Sequence, residues 1–312
     1  MELSPSLPVL VIGASGVDLV GRLTAELSPH SSSPAEIRSS FGGVARNIAE
    51  NLARLGQPVR LLSVVGADST GDHLLEQVAA AGVDVSPVLR STEYATSSYL
   101  AVLNSQGELE FALDDMRAVS EITPAYVRQS AELIRDSSFI FVDANLHPQT
   151  LRAIFSLARQ AQRPVGADPT SNRLAPRLQP YLDGMYMLVP NGAEAAILGQ
   201  HDFNPDEPAE VVEAAKRLVA LGVEISIVTL PEFGVCYASS QASGHIPAIR
   251  TPVVDPTGAG DALTAAVIFA LLNDIPLDDA MRLGVSAASL TLRHPGAVLA
   301  ELSLEKLYDE FI

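Results

Sequence analysis

A single cysteine, Cys236, and no tryptophan occur in 312 residues. One thiol cannot close an intrachain disulfide or anchor a multi-cysteine zinc site, which suits a reducing compartment. Aromatic residues are few, nine Phe and seven Tyr, so any core must be mostly aliphatic. Basic residues are also in deficit: 20 Lys and Arg stand against 37 Asp and Glu, a formal net charge of −17. Such a field repels phosphate backbones and anionic membranes, so neither nucleic acid nor a membrane is an expected partner. No long hydrophobic run occurs either. The most apolar one, Ala262 to Leu272, is roughly half the ~20 residues that a bilayer requires. Met1-Glu2-Leu3-Ser4-Pro5 carries no basic region, and the first apolar run, Val9 to Ile12, ends at Gly13. A signal peptide is not expected, and the chain reads as cytosolic.

Several catalytic signatures are missing as well. No Gly-Lys pair occurs, which excludes a Walker A loop, and Gly13-Ala14-Ser15-Gly16 lacks the central glycine of a dinucleotide fingerprint. The six histidines are far apart and lack metal-ligand spacing. Gly284-Val285-Ser286-Ala287-Ala288 misses the last glycine of a nucleophile elbow. There is no internal repeat, and Pro29 to Pro34 is a flexible loop at most.

What remains is a foldable chain. Hydrophobic residues make up 47% and charged residues 18%, enough for two average domains or one large α/β domain with an insertion. The continuously apolar, β-branched run Val9 to Ile12 predicts a strand buried on both faces. Further strands are predicted at Val59 to Val65, Phe139 to Val142, Pro164 to Ala167, Tyr186 to Val189 and Ile225 to Thr229. Helix-period segments alternate with them: Val44 to Leu55, Gly71 to Ala81, Pro124 to Arg135, Gln149 to Ala161, Pro208 to Leu221, Gly258 to Leu272 and Leu277 to Leu292. That alternation predicts a mostly parallel central sheet flanked by helices. Two stretches interrupt it, Asp18 to Phe41 and Ser86 to Leu113, which read as strands with no helix between them. Ser97 to Leu103 and Glu108 to Leu113 form a hairpin pattern across Asn104-Ser105-Gln106-Gly107. We expect one domain over 1–312 with a small discontinuous β lid from about 18–41 and 86–113.

The segment Asp255-Pro256-Thr257-Gly258-Ala259-Gly260-Asp261 opens an apolar helix. Two glycines in a first turn cost about 1 kcal/mol each relative to alanine, so a compensating reason is expected. Bare N–H groups there could approach an anion such as a phosphoryl group, helped by the helix dipole. Asp261 would repel that anion unless it accepts a proton from an attacking hydroxyl, as a kinase base does. The plainer alternative is a helix start capped by Thr257 with glycines for close packing. At the other end of the chain, Gly42-Gly43 opens a helix with Val44, Ile48, Leu52 and Leu55 as its apolar face, and Arg46, Glu50 and Arg54 pairing on the opposite one. Asn47 borders the apolar face and Asn51 lies in it, so both need buried partners: ligand hydroxyls, or neighbouring loops. Asn191 and Glu194 could hold Mg²⁺ through water or form a helix cap. Asp18 could bind a sugar diol or simply start the next segment.

With Gly42-Gly43 and Asn47 near the N-terminus and Asp255 to Asp261 near the C-terminus, the chain resembles the ribokinase-like (PfkB) family of sugar and nucleoside kinases over nearly its whole length. The resemblance implies a central sheet with a β lid, and ATP and Mg²⁺ as cofactors. It implies Asp261 as base, and the amides of Gly258, Ala259 and Gly260 as an anion hole. Asn191 and Glu194 would serve Mg²⁺ and phosphates, and Thr229 and Gly234 a nucleotide loop. Asp18, Gly42, Gly43 and Asn47 would contact sugar, with Asn145 near a base. Asp255 and Thr257 would border a K⁺ site. Within the family, Gly43 to Gly56, Asp143 to Leu146 and Asp168 to Ser171 look most like pseudouridine kinases, with other sugar or nucleoside kinases (ribose, fructose, adenosine, cytidine) and a non-catalytic sugar sensor as alternatives. Three residues depart from the pattern: Gly16 for an Asn, Leu174 for a Lys, and Pro231 for a Gly. The expected partner is a small molecule, and the resemblance leaves a homodimer open.

Overall fold

The structure is a computed structural model and describes residues 6–28 and 30–311. Met1 to Pro5, considered above for a leader, and Pro29 of the serine-rich loop lie outside the described residues. The chain begins with β1 (Val9–Ile12), β2 (Gly16–Leu23), β3 (Ala35–Gly42) and α1 (Val44–Arg54). There follow β4 (Val59–Leu62), β5 (Val64–Gly66), α2 (Ser69–Ala80), β6 (Leu89–Ser91), β7 (Ser97–Leu103) and β8 (Leu109–Asp115). Helices α3 (Pro124–Gln129) and α4 (Ala131–Arg135) lead to β9 (Phe139–Asp143), α5 (Pro148–Gln160), β10 (Val165–Asp168) and β11 (Met187–Leu188). The last third holds α6 (Gly192–Gly199), α7 (Pro208–Ala220), β12 (Ile225–Leu230), β13 (Gly234–Ser239), β14 (Ser243–Ile246), α8 (Ala259–Leu272), α9 (Leu277–Leu292) and α10 (Leu304–Asp309).

Eight strands form the central sheet in the order β14-β13-β12-β11-β10-β9-β1-β4. It is parallel from β12 to β4 and antiparallel at the β12-β13-β14 edge. Its two-residue side-chain period divides the apolar strands between two cores: Val9 and Val11 join the α1 and α8 side, while Leu10 and Ile12 join the α5 and α7 side. Helices thus cover both faces, as the continuous apolar strands require. No helix among the described residues is long and apolar enough to cross a membrane.

The predicted strand Val59 to Val65 is two strands. Ser63 breaks it, its hydroxyl bonding the Gly13 carbonyl (2.6 Å) and Ser15 Oγ (2.8 Å), and β5 leaves the main sheet to pair with β6. Pro124 to Arg135 is likewise two helices, parted at Ser130. Four strands make a second sheet in the order β3-β2-β7-β8. Its strands come from the two stretches without helices. The segment before Ser97 does not join it, because Leu89–Ser91 pairs with β5. Asn104 Oδ1 closes the β7-β8 hairpin by accepting from the backbone of Gln106 and Glu108, 2.9 Å each.

Candidate active site

The carboxyl ends of β1, β9, β10 and β12 converge on the N-termini of α1, α6 and α8, the crevice where open α/β sheets place ligands. Asp143, at the end of β9 and fully buried, gathers three backbone donors: Ala14 N–H at 2.8 Å, Ala45 N–H at 3.3 Å and Asn145 N–H at 3.0 Å. One carboxylate thereby joins the β1 loop, the first turn of α1 and β9. The turn before α1 needs its two glycines. Gly43 has φ 95°, and a Cβ on it would enter the Ala14 carbonyl, while one on Gly42 would enter the Asp18 carboxylate.

Asn47, on the second turn of α1, donates its amide to Asp261 Oδ2 at 2.7 Å. Its other amide atom, Oδ1, is buried without a partner. Asp261 lies in the first turn of α8. Burial pushes its carboxyl up to about 7; the Asn47 amide and the Arg46 charge oppose this, and Asp143 and Asp18 reinforce it. Burial also raises Asp18, against the pull of Arg46. Asp168 is raised well above the usual carboxylate range, first by burial and then by Asp261 and Glu194. The site therefore crowds the carboxylates of Asp18, Asp143 and Asp168 around Asp261, with the buried Arg46 acting on Asp18 and Asp261.

The α8 terminus carries no side-chain cap. Thr257 is not the cap; Gly258 occupies that position with φ 78°, and a Cβ there would run into the Ala297 carbonyl. Close packing thus explains Gly258. It does not explain Gly260, where a Cβ would meet nothing within 4 Å. Asp255 fixes the turn by accepting from Thr257 N–H (2.9 Å) and Gly296 N–H (3.1 Å), and these bonds outweigh burial and lower its pKa.

Beside Gly260 opens a mostly apolar cavity of about 250 Å³, lined among others by Thr229, Pro231, Gly234, Ile249, Leu263 and Val285. Gly234 has φ 95° and packs on the backbone of Ile246 to Ala248. Asn191 sits next to Thr229. With Glu194 it forms a capping box on α6, each side chain bonding the other residue's backbone N–H at 2.9 Å. Among the described residues no three His, Cys, Asp or Glu side chains converge as a metal-binding group.

Asn145 is partly spent within the protein: its side chain bonds Asp143, and its backbone carbonyl accepts from Arg177 at 3.0 Å. Two of the departures prove structural. A Cβ at Gly16 would collide with the Ser97 carbonyl, and Leu174 is buried in the apolar core with Ala175 and Leu178. The predicted pairing of Arg46, Glu50 and Arg54 forms, but not on an open face. Arg46 and Glu50 are fully buried, because β3 and the segment near Ala300 cover that side of α1. Asp143 and Asp168, not singled out as site residues, each open a segment that carries the family resemblance, and each is an acid closing an apolar strand.

The sequence profile of pfkB family carbohydrate kinases matches residues 7–303. The pseudouridine kinase of Escherichia coli K12 is 33% identical over 285 residues, covering 91% of this chain and 90% of that protein. The guanosine-inosine kinase of Exiguobacterium acetylicum is 28% identical, covering 90% and 93%. In fold, the chain is similar to Arabidopsis thaliana ribokinase solved with ribose and ATP: TM-score 0.84 and 22% identity, covering 97% of this chain and 98% of that one.

Proposed function

The chain belongs to the pfkB family of carbohydrate kinases, and from that premise we propose that it transfers the γ-phosphoryl group of ATP to the 5′-hydroxyl of pseudouridine. The observation that carries this reading is the Asn47 to Asp261 contact, which aims a carboxylate with a pKa near 7 at the crevice. In this mechanism Asp261 accepts the hydroxyl proton as the new O–P bond forms and the bond to the ADP oxygen breaks. The bare N–H groups of the α8 terminus face the transferring phosphoryl group, and the open space over Gly260 leaves room for it. The adenine occupies the 250 Å³ cavity beside Thr229 and Gly234.

Asp18 and the unpartnered Asn47 Oδ1 take ribosyl hydroxyls, with Gly42 and Gly43 allowing close approach. The second sheet acts as a lid. Its inner row includes Asp18, Ser40 and Tyr99, paired across β2, β3 and β7. Hard oxygen donors suit Mg²⁺. Glu194 spends one oxygen on its cap and, beside Asp168, keeps the other for a metal-bound water. When bound, Mg²⁺ neutralises phosphate charge. A K⁺ near Asp255 and Thr257 would stabilise the same turn, and activity equal in K⁺ and tetramethylammonium would contradict it.

A second reading, another nucleoside or a free sugar, is favoured by Gly16 and Leu174: neither places a polar side chain on the substrate wall. The sensor alternative is disfavoured by the intact Asn47 and Asp261 pair. ADP release assayed with pseudouridine, uridine, cytidine, adenosine, ribose and fructose separates the three, and no turnover on any would favour the sensor. The homodimer reading is supported by the outer lid face, where Leu19, Leu100 and Leu113 share one register row and Ile37, Val102 and Phe111 the next. Ile37 is 73% exposed and Leu113 61%.

A further inference from the structure

Arg46 is among the largest fully buried side chains, and its charge balance is uneven. Nη1 pairs with Glu50 Oε2 at 2.8 Å, and Nε donates to the Gly42 carbonyl at 3.3 Å. The other Glu50 oxygen is taken by Arg54, which is anchored in turn on the Ala300 carbonyl. Two guanidinium groups thus share one carboxylate, leaving a surplus of one positive charge. Arg46 Nη2 is buried with no partner at all. Burying a cation costs several kcal/mol unless it is fully paired. A stability role would favour complete pairing; this arrangement lacks it.

The surplus charge has an evident counterpart. Arg46 immediately precedes Asn47, the residue bonded to Asp261, and it grips the carbonyl of Gly42, whose Cα packs on the Asp18 carboxylate. We infer that the Arg46, Glu50 and Arg54 triad is a positioning device for the phosphoryl-acceptor site, its unbalanced charge facing and holding the carboxylates of Asp18 and Asp261. This rests on Asp261 being the base. Around Asp261 the facing groups are Arg46 and Asn47 from α1, Asp18 from β2, Asp143 from β9 and Asp168 from β10. Asp255 faces Asp18, Arg38 faces Asp255, and Glu194 faces Asp168. Arg46 is thus a positive charge acting on a group surrounded by acids. Against the dominant effect of burial, the Asn47 amide and the Arg46 charge lower the Asp261 pKa.

The test is the pH profile of kcat/KM in three variants, each checked for folding by circular dichroism. Wild type should show an acid limb from Asp261. Arg46→Met should move that limb up by about one pH unit, so that at pH 6, with each enzyme normalised to its own alkaline plateau, it falls roughly tenfold below wild type. Arg46→Lys should hold it within a few tenths of a unit. Glu50→Gln, which keeps both arginines and raises the surplus to two charges, should move the limb down; a merely structural role gives no opposite shift. If Arg46→Met does not fold, the direction of the Glu50→Gln shift decides. A wild-type limb that folded Arg46→Met or Glu50→Gln leaves in place overturns the triad's role and spares the base. A wild-type profile with no acid limb overturns the base reading, and the triad's role with it.

Discussion

Asp261 and Asn47 stand 214 positions apart in the chain and 2.7 Å apart in space. Asp261→Asn keeps the size and removes the proton acceptor, so kcat should fall by about 10³-fold or more while ATP binding, followed by calorimetry, changes little. Near-normal turnover would remove Asp261 from the mechanism. The same substitution should raise the melting temperature at pH 8. The sign follows from the shift: a carboxyl held near 7 in the folded protein and 3.8 in the unfolded chain binds more protons when folded, so it lowers stability as pH rises from about 4 to 7. Removing the charge relieves that cost. An unchanged or lower melting temperature at pH 8 would mean that the carboxylate is better solvated than its surroundings imply. At this scale the sequence was legible at Gly258, where a glycine in a first helical turn asked for a compensating reason and close packing was one of the two on offer; the backbone tasks of Gly42 and Gly43 emerge only from their contacts with Asp18 and Ala14. Arg46 was not legible. Helical periodicity puts it opposite Ile48 and Leu52, and only tertiary packing, by β3 just before the helix and by the distant stretch near Ala300, buries that side.

The two helices that form the site are built differently. The α1 terminus is fixed by Asp143 holding Ala14, Ala45 and Asn145, whereas α8 is fixed by Asp255 clamping Thr257 and Gly296. Gly258→Ala should therefore act on both stability and rate. A methyl group there meets the Ala297 carbonyl and strains a left-handed backbone, a loss of about 2 kcal/mol or more in urea unfolding. Gly260→Ala is the contrast: the protein leaves space for the methyl, so stability should hold or improve while kcat drops at least tenfold if a phosphoryl group uses that space. Equal effects of the two substitutions on stability would contradict this division. Strand and helix alternation was readable because each parallel strand is apolar on both faces. The break at Ser63 was not, because it depends on the Gly13 carbonyl and Ser15 across the sheet. The antiparallel edge β13-β14 escaped because its strands are short and mix Ser, Gly and His with apolar residues. Helix α6 escaped because its eight residues show little periodicity.

On the scale of the whole molecule, two sheets frame the crevice: the central one underlies Asp261 and the cavity beside Gly260, and the four-stranded one carries Asp18. The outer face of that second sheet should be the contact between two copies. Sedimentation equilibrium should give a dimer for the wild type and a monomer for Ile37→Glu with Leu113→Lys, and a monomeric wild type would contradict it. The proposed nucleoside kinase, with Asp261 taking the proton of the attacking hydroxyl, is tested by kcat/KM from ADP release with wild type and Asp261→Asn on a panel from pseudouridine to free ribose and fructose. Pseudouridine should lead the panel, and Asp261→Asn should lose about 10³-fold on it. A higher value for free ribose or fructose than for every nucleoside would contradict the substrate, and full activity in Asp261→Asn would contradict the mechanism.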